Sequence, residues 1–517
     1  MTEKHFMDGI GKWKDEIIAA GLLMAFAFFI NRGIEIKGLY MDDLYLWSCY
    51  GEQTFGQFIF PMGSTRFRFL YYLAAWLELA VIGNHIGWFV PLNIILNGCI
   101  AYSVYRFGKR LSRSYLMGLG CGFLYLLSRM SYYQISQVYG LMESLALWAA
   151  LGILYCLLRY VDEKGDGKKY LIQSCVLYFA VCFIHERYLA LLPLIYLAIL
   201  YKKGKKKAFW FLPAGVFAVV MAIRVLTTGG VAPAGTGGTN VAETFSVMTS
   251  IRYAIDQVLY IFGINAGPGH LSGASWTESP SWIHVQIIAA DLVLLVLVIL
   301  AVIRVIRDKE GRLKYLRDIS LFLIFIALCI GASSVTIRVE TRWIYVSMTA
   351  AYLLAAYLYG MITAKPEHGK VVDIKREARK AADKKAGRQS AVLCGGLFLV
   401  YIIIMFPVEN YYRGQYPNLY FWADQQRYNS LAEETYGKYG DDIFGRKIYI
   451  IGNSYQMSDF TARTFFKEFD RDRKAEGTEV HFIDSIHDIG LITNNMLVLK
   501  EDPALSLIHI SEPTRLD

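Results

Sequence analysis

Apolar residues fall in long runs separated by short polar intervals. Spanning a bilayer as a helix takes about 20 mostly apolar residues. Eleven runs qualify, near 15–31, 86–106, 115–131, 142–160, 170–184, 187–201, 208–226, 283–303, 319–337, 343–363 and 389–407. Two are short, 170–184 and 187–201, and read as tilted spans or as a helix pair meeting at the Phe183–Arg187 corner. A further run, Phe69–Ile82, contains Glu78 and follows a loop, which reads as a helix lying on the membrane surface. The pattern predicts an α-helical polytopic membrane protein.

Composition agrees. Hydrophobic residues make up 55 % of the 517 positions, charged residues 19 %, and the mean hydropathy is +0.34. A soluble chain carries about 25 % charge, so an ordinary water-soluble enzyme is excluded. The net charge of +9 finds its reason in topology. With the N-terminus in the cytoplasm, the inner segments hold 31 Lys and Arg, and the outer ones before residue 408 hold 8. That asymmetry sets orientation and removes nucleic acid as a partner. The run Lys202–Lys207 reads as a topology anchor beside anionic lipid. The eight Cys show no metal or disulfide spacing.

The outer segments are unusual. The first, 32–85, is long; the one at 227–282 opens on the Gly-rich stretch Gly229–Gly238, and its middle, Val241–Ile264, is amphipathic. After residue 407 the composition changes to Tyr and charge, with strand-like runs at Lys447–Ile451 and Val480–Ile483. The expected organisation is a transmembrane unit, 1–407, and a small outer α/β domain, 408–504. Residues 505–517 contain LSLIHISEPTR, which reads as an adapter-derived tail and is left out of fold reasoning.

Charge beside a span is costly and marks candidate sites. Four clusters fall on the outer side. Asp42 and Asp43 follow the first span; one can act as a general base on a sugar hydroxyl while the other orients it or holds a metal, or the pair simply caps a helix starting at Leu44. Glu143 opens the fourth span, as a site carboxylate or as an acid favoured by the helix dipole. His185, Glu186 and Arg187 lie between two apolar runs; they can serve phosphate and sugar, or Glu186 and Arg187 can pair with each other. Arg338, Glu340 and Arg342 end the ninth span, and the spacing of the two Arg puts both on one helical face, suited to phosphate. Arg66 and Arg68 form a weaker pair of the same kind. No Walker loop, HExxH or post-strand GxGxxG is present.

This order of features resembles the GT-C superfamily of polytopic membrane glycosyltransferases. An acidic pair in the first outer loop, Asp42 and Asp43, is followed by the surface helix RFLYYLAAWLELAVIG and a span ending in the basic turn YRFGKRLSRS. Then come a short outer loop with an acid, YGLMES with Glu143, and the polar corner HERY. The resemblance covers roughly residues 15–202. It implies a bacterial enzyme of the cytoplasmic membrane that moves a hexosyl or pentosyl group from a polyprenyl-phosphate donor to an extracytoplasmic acceptor. A cell-surface polysaccharide, a teichoic acid and a glycolipid are the acceptor classes. A loop Asp would act as base, with inversion. The leaving lipid phosphate would be met by Arg338, Arg342 or Arg187, or by a divalent cation, Mg or Mn, for which Asp42 and Asp43 are candidate ligands.

Two rivals make different demands. A lipid-linked polysaccharide polymerase or ligase depends on a large, charged outer loop, and 227–282 holds Arg252 and His270 but few other charges. A transporter or flippase shows internal repeats and mid-membrane charge; here no repeat is visible and the charges gather at one face, except Asp291 within the eighth span.

Overall fold

The computed structural model describes residues 3–34, 42–62, 64, 66–83, 85–135, 137, 140–202, 207–231, 241, 245–266, 274–364, 375–415, 422–452, 466, 469 and 478–500. The 505–517 tail and all but the first residues of Gly229–Gly238 lie outside them.

The apolar runs become a helical bundle. In chain order its helices are α1 (Glu3–Ile30), α2 (Asp42–Glu52), α3 (Phe55–Ile59), α4 (Phe69–Ile82), α5 (Phe89–Ser112), α6 (Tyr115–Leu127), α7 (Arg129–Ile135) and α8 (Gly140–Asp162). The later ones are α9 (Lys168–Ile184), α10 (Leu192–Tyr201), α11 (Phe211–Thr228), α12 (Val247–Ile261), α13 (Ser281–Arg307), α14 (Arg312–Ser334), α15 (Thr341–Thr363), α16 (Lys375–Gly414) and α17 (Trp422–Tyr439).

All eleven expected spans fall on helix, but among the described residues only seven helices are long and apolar enough to cross a membrane: α5, α8, α11, α13, α14, α15 and the later part of α16. The other four expected spans lie on helices that are shorter or more polar. α6, α9 and α10 have 13, 17 and 10 residues, and α1 turns apolar only after Glu16. α4 has 14 residues, about 21 Å, short of the roughly 30 Å hydrocarbon core, and it packs on α3, α8 and α9.

The expected 115–131 span breaks at Ser128, whose backbone is extended (ψ 134°). Two side chains cap the new helix: Arg129 N donates to Glu409 Oε2 (2.8 Å) and Met130 N to Ser128 Oγ (3.2 Å). α5 and α6 form a close hairpin, because a Cβ on Gly118 would stand 2.7 Å from Tyr105 O. α13 shows the other regime. Val285, Ile288, Leu292, Leu295 and Ile299 are exposed along it, which in a bilayer is a lipid-facing stripe.

α12 is inverted for a water-facing helix. Val247, Met248, Ile251, Ile255 and Val258 are exposed, while Asp256, Gln257 and Tyr260 are buried. Gln257 Nε2 donates to Ser334 Oγ (2.8 Å), and Ser333 Oγ donates to Gln257 Oε1 (2.7 Å). The polar face is thus turned to α14, and the apolar face suits a membrane interface.

Lys202 is not a lipid anchor. It is buried, and its ammonium donates to the carbonyls of Tyr160 (2.8 Å) and Glu163, closing the C-terminal end of α8. At the C-terminal side, β1 (Lys447–Ile451), β2 (Glu479–Ile483) and β3 (Met496–Lys500) form a parallel sheet in the order β2-β1-β3. The sequence pattern supplied β1 and β2; β3 was not expected.

Candidate active site

Four chain segments meet at one end of the bundle. The link before α4 brings Arg66 and Arg68, and the first turn of α8 brings Glu143. The corner after α9 brings His185, Glu186 and Arg187; the entry to α15 brings Arg338, Glu340 and Arg342.

Local sequence makes the corner. α9 ends where His185 turns extended (φ −151°, ψ 119°) and accepts a hydrogen bond from Arg187 N (3.4 Å). Residues Glu186–Leu191 form a 3-10 turn, and Pro193 then sits in the first turn of α10. The tight turn points Glu186 and Arg187 to different partners. Arg68 Nε donates to Glu186 Oε2 (2.6 Å) and its Nη2 to Oε1 (2.7 Å), a bidentate pair with side chains only 6 % and 7 % exposed. Arg66 stands 3.9 Å from the same carboxylate. Arg187 pairs instead with Glu143, itself 1 % exposed. The alternative in which Glu186 and Arg187 neutralise each other is therefore corrected: each reaches across to another helix.

His185 bridges the two pairs. Its Nε2 lies 3.8 Å from Glu143 Oε1, and its Nδ1 4.0 Å from Glu186 Oε2. Burial, reinforced by Arg68 and Arg187, drives its pKa well below the usual value, so the imidazole is neutral at physiological pH. Burial opposes ionisation of Glu186, but the Arg68 guanidinium outweighs it and holds the carboxyl down at about 2.

The fourth cluster joins this network through Arg342, which lies within electrostatic reach of Glu143 and His185. The proposed helical spacing of Arg338 and Arg342 is corrected, because α15 begins only at Thr341 and Glu340 is its extended N-cap. The carboxylate of Glu340 gathers the two guanidinium groups instead: Arg338 Nε donates to Oε1 (2.7 Å), and Arg342 pairs with Oε2. The arginines counter the desolvation of Glu340 and keep its pKa below the ordinary carboxylate value.

Asp42 and Asp43 occupy the first turn of α2. They are inside the helix, not its cap, and the dipole still favours them. Asp42 is exposed, and among the described residues no ion pair joins it to the arginine network. Asp43 is buried and faces Glu78 of α4, whose own pKa burial pushes up to about 8, with the charge of Asp43 adding to the shift. Among the described residues no group of three His, Cys, Asp or Glu stands ready for a metal. The carboxylates of Glu143, Glu186 and Glu340 are already committed to guanidinium groups. A divalent cation therefore fits this donor set poorly.

Two buried arginines inside the apolar runs escaped sequence reasoning. Arg224 of α11 lies within electrostatic reach of Glu186 and Arg68. Arg129 is buried with its guanidinium 4.5 Å and 4.0 Å from the ring centroids of Tyr260 and Tyr412, and 3.6 Å from Glu409. Both lie inside runs read as apolar, and a charge inside a span was the available signal.

Bundle and site define a polytopic helical membrane protein that concentrates buried arginine and glutamate at one end. No family model matches the chain and no curated protein matches it, so its likeness to known proteins is one of fold. The structure of ArnT from Cupriavidus metallidurans bound to undecaprenyl phosphate covers 93 % of this chain and 92 % of its own, with 11 % identity and a TM-score of 0.50. The same protein in the apo state covers 95 % and 93 %, with 10 % identity and a TM-score of 0.50. ArnT is a GT-C glycosyltransferase, and the chain has its fold, as the ordered series in residues 15–202 implied.

Proposed function

We propose that this protein is a GT-C-type glycosyltransferase of the cytoplasmic membrane. It moves a sugar from a polyprenyl-phosphate donor to an extracytoplasmic glycan or glycolipid, with its N-terminus inside and the arginine-rich end and C-terminal residues outside. The observation that carries this is the charge balance of the network. Five guanidinium groups (Arg66, Arg68, Arg187, Arg338, Arg342) face three carboxylates (Glu143, Glu186, Glu340), with His185 neutral. Guanidinium groups gathered around fewer carboxylates at one end of the bundle suit a lipid phosphate leaving group. The undecaprenyl phosphate held by ArnT supports this lipid class.

The chemistry is a single displacement. The acceptor oxygen bonds to the anomeric carbon from the face opposite the phosphate, and the bond from that carbon to the phosphate oxygen breaks with both electrons. The polyprenyl phosphate leaves with the extra negative charge, stabilised by fixed guanidinium groups in a water-poor site. The acceptor proton passes to a carboxylate of the first outer loop. Asp42, exposed at the start of α2, is the favoured base; Asp43, beside Glu78, positions that turn. Glu143, Glu186 and Glu340 hold the arginines in place.

The test uses full-length protein in liposomes with a polyprenyl-phosphate-linked sugar, reading released polyprenyl phosphate. Asp42→Asn is expected to lower the rate by about 10²–10⁴-fold, the range of general-base catalysis. Full activity in both Asp42→Asn and Asp43→Asn overturns the base assignment. Full activity in Arg342→Ala overturns the phosphate role of the arginine network.

A further inference from the structure

A second site lies at the other end of the bundle. A cavity of about 1020 Å³ opens between α5 and α8, bounded by α9 and by Glu16 of α1. Its α5 wall is one helical stripe, Ile100, Ser103, Phe107 and Arg110, with spacings of three and four. From Ile100 to Arg113 the wall runs about 20 Å, more than the roughly 15 Å of one leaflet. At Gly152 the α8 wall is closed by Leu177 of α9, whose Cδ1 a Cβ there would meet at 2.9 Å. One polar tie crosses the apolar groove, Trp148 Nε1 donating to Ser103 Oγ (3.1 Å).

The mouth differs from the walls. Arg106, Lys109, Arg110 and Arg113 line it against the single carboxylate of Glu16. Lys109 Nζ is committed to Glu16 Oε1 (2.9 Å) and to Tyr105 OH (3.0 Å). Arg106, Arg110 and Arg113 are exposed, lie on one face at spacings of four and three, and have no carboxylate ion pair among the described residues. Arg110 also lies over the Tyr155 ring, 5.6 Å from its centroid. The groove thus offers guanidinium donors at one end and a hydrocarbon slot behind them. Its lining extends to Leu145 and Ile184, two residues from Glu143 and one from His185 in the chain.

We propose that this groove is a binding site for an anionic glycerophospholipid of the cytoplasmic leaflet, its headgroup on Arg106, Arg110 and Arg113 and an acyl chain along α5 and α8. Charge complementarity selects this occupant. A polyprenyl phosphate with its phosphate at the outer arginines would run its uncharged tail into four cations. The orientation rests on the reading under Proposed function, but the binding test is independent of sugar transfer, so either reading can fail without the other.

The test reconstitutes the full chain in nanodiscs of phosphatidylcholine doped with phosphatidylglycerol carrying a diazirine on its acyl chain. After illumination, peptide mass spectrometry is expected to place adducts on residues 100–107 and 145–155. They should be enriched at least tenfold over the lipid-facing stripe of α13 and over the same experiment with labelled phosphatidylcholine. The double variant Arg106→Gln/Arg110→Gln is expected to lose that enrichment, while Arg307→Gln/Lys309→Gln, elsewhere on the same end, retains it. Even labelling of all lipid-facing helices, or equal labelling by phosphatidylcholine, overturns the proposal. So does equal loss in both double variants. Displacement of the adducts by unlabelled polyprenyl phosphate overturns it in favour of the donor's tail.

Discussion

The Arg68–Glu186 pair gives the most exposed prediction, because two lines of reasoning must agree on it. Glu186→Gln keeps the size of the side chain and one oxygen acceptor but strands the buried Arg68 guanidinium without its counter-charge. Breaking a buried pair from one side costs about 3–5 kcal/mol. The depressed pKa gives a second figure. The carboxyl is held at about 2 against an ordinary 4.5, a difference of roughly 2.5 units, or about 3 kcal/mol at about 1.36 kcal/mol per unit. A depressed carboxylate pKa contributes stability that is fully present above pH 4.5 and is lost as pH falls through 4.5 toward 2. The assay is the apparent unfolding midpoint of detergent-solubilised protein, followed by size exclusion after heating, between pH 7 and pH 3. The parent should lose stability across pH 4.5 to 3, and Glu186→Gln should start several degrees lower at pH 7 with a shallower acid slope. The double variant Arg68→Met/Glu186→Leu should recover most of the midpoint, since neither charge is then stranded, and should remain inactive. A Glu186→Gln protein as stable as its parent at pH 7, with an unchanged acid slope, refutes the buried-pair reasoning.

Glu78→Gln should raise stability at pH 7. An acid whose folded pKa is pushed up to about 8 destabilises the fold as pH rises from 4.5 to 8, by about 3 kcal/mol at neutral pH; the measurement is the parent–variant gap in midpoint, which should vanish below pH 4. Arg129→Gln should cost about 3–5 kcal/mol through the stranded Glu409 carboxylate, read as the same midpoint, and Arg129→Lys should restore only part, because ammonium cannot stack between Tyr260 and Tyr412. Glu340→Gln should raise KM for the donor more than it lowers kcat, since it loosens Arg338 and Arg342 without touching the base; steady-state kinetics in liposomes decides.

Helix placement was legible because bilayer thickness writes itself into sequence as run length. All eleven expected runs fall on helix; α9 and α10 are short because their apolar runs are short, and only α6 is cut by a backbone detail. Ser128 shows the limit: serine followed by Arg129 is weak as a stop signal, and what starts a new helix there is a cap on α7 supplied by Glu409, 280 residues away. The amphipathy of 241–264 was legible too, but not which face looks inward. That was decided by Ser333 and Ser334, which give Gln257 a buried partner.

The site was legible in its residue types and illegible in its pairing, and the difference has a physical cause. A charge near lipid is conspicuous because it is costly, so Glu143, Glu186, Arg187 and Arg342 stand out against their neighbours. The partner that makes each charge tolerable is found by topology. Arg68 meets Glu186 across 118 positions and Arg187 meets Glu143 across 44, whereas the adjacent Glu186 and Arg187, the obvious pair by distance along the chain, are turned apart by a 3-10 corner. The arrangement has a functional logic. Were Glu186 and Arg187 paired locally, the corner would be neutral and self-contained. Reaching outward, they tie the link before α4 to the first turn of α8, and Arg342 brings the entry of α15 against both. A network with more guanidinium than carboxylate is held rigid by its own ion pairs and keeps net positive charge in a poorly solvated place. Under the proposed function, that fixed positive charge is what a phosphate delivered from the membrane would meet.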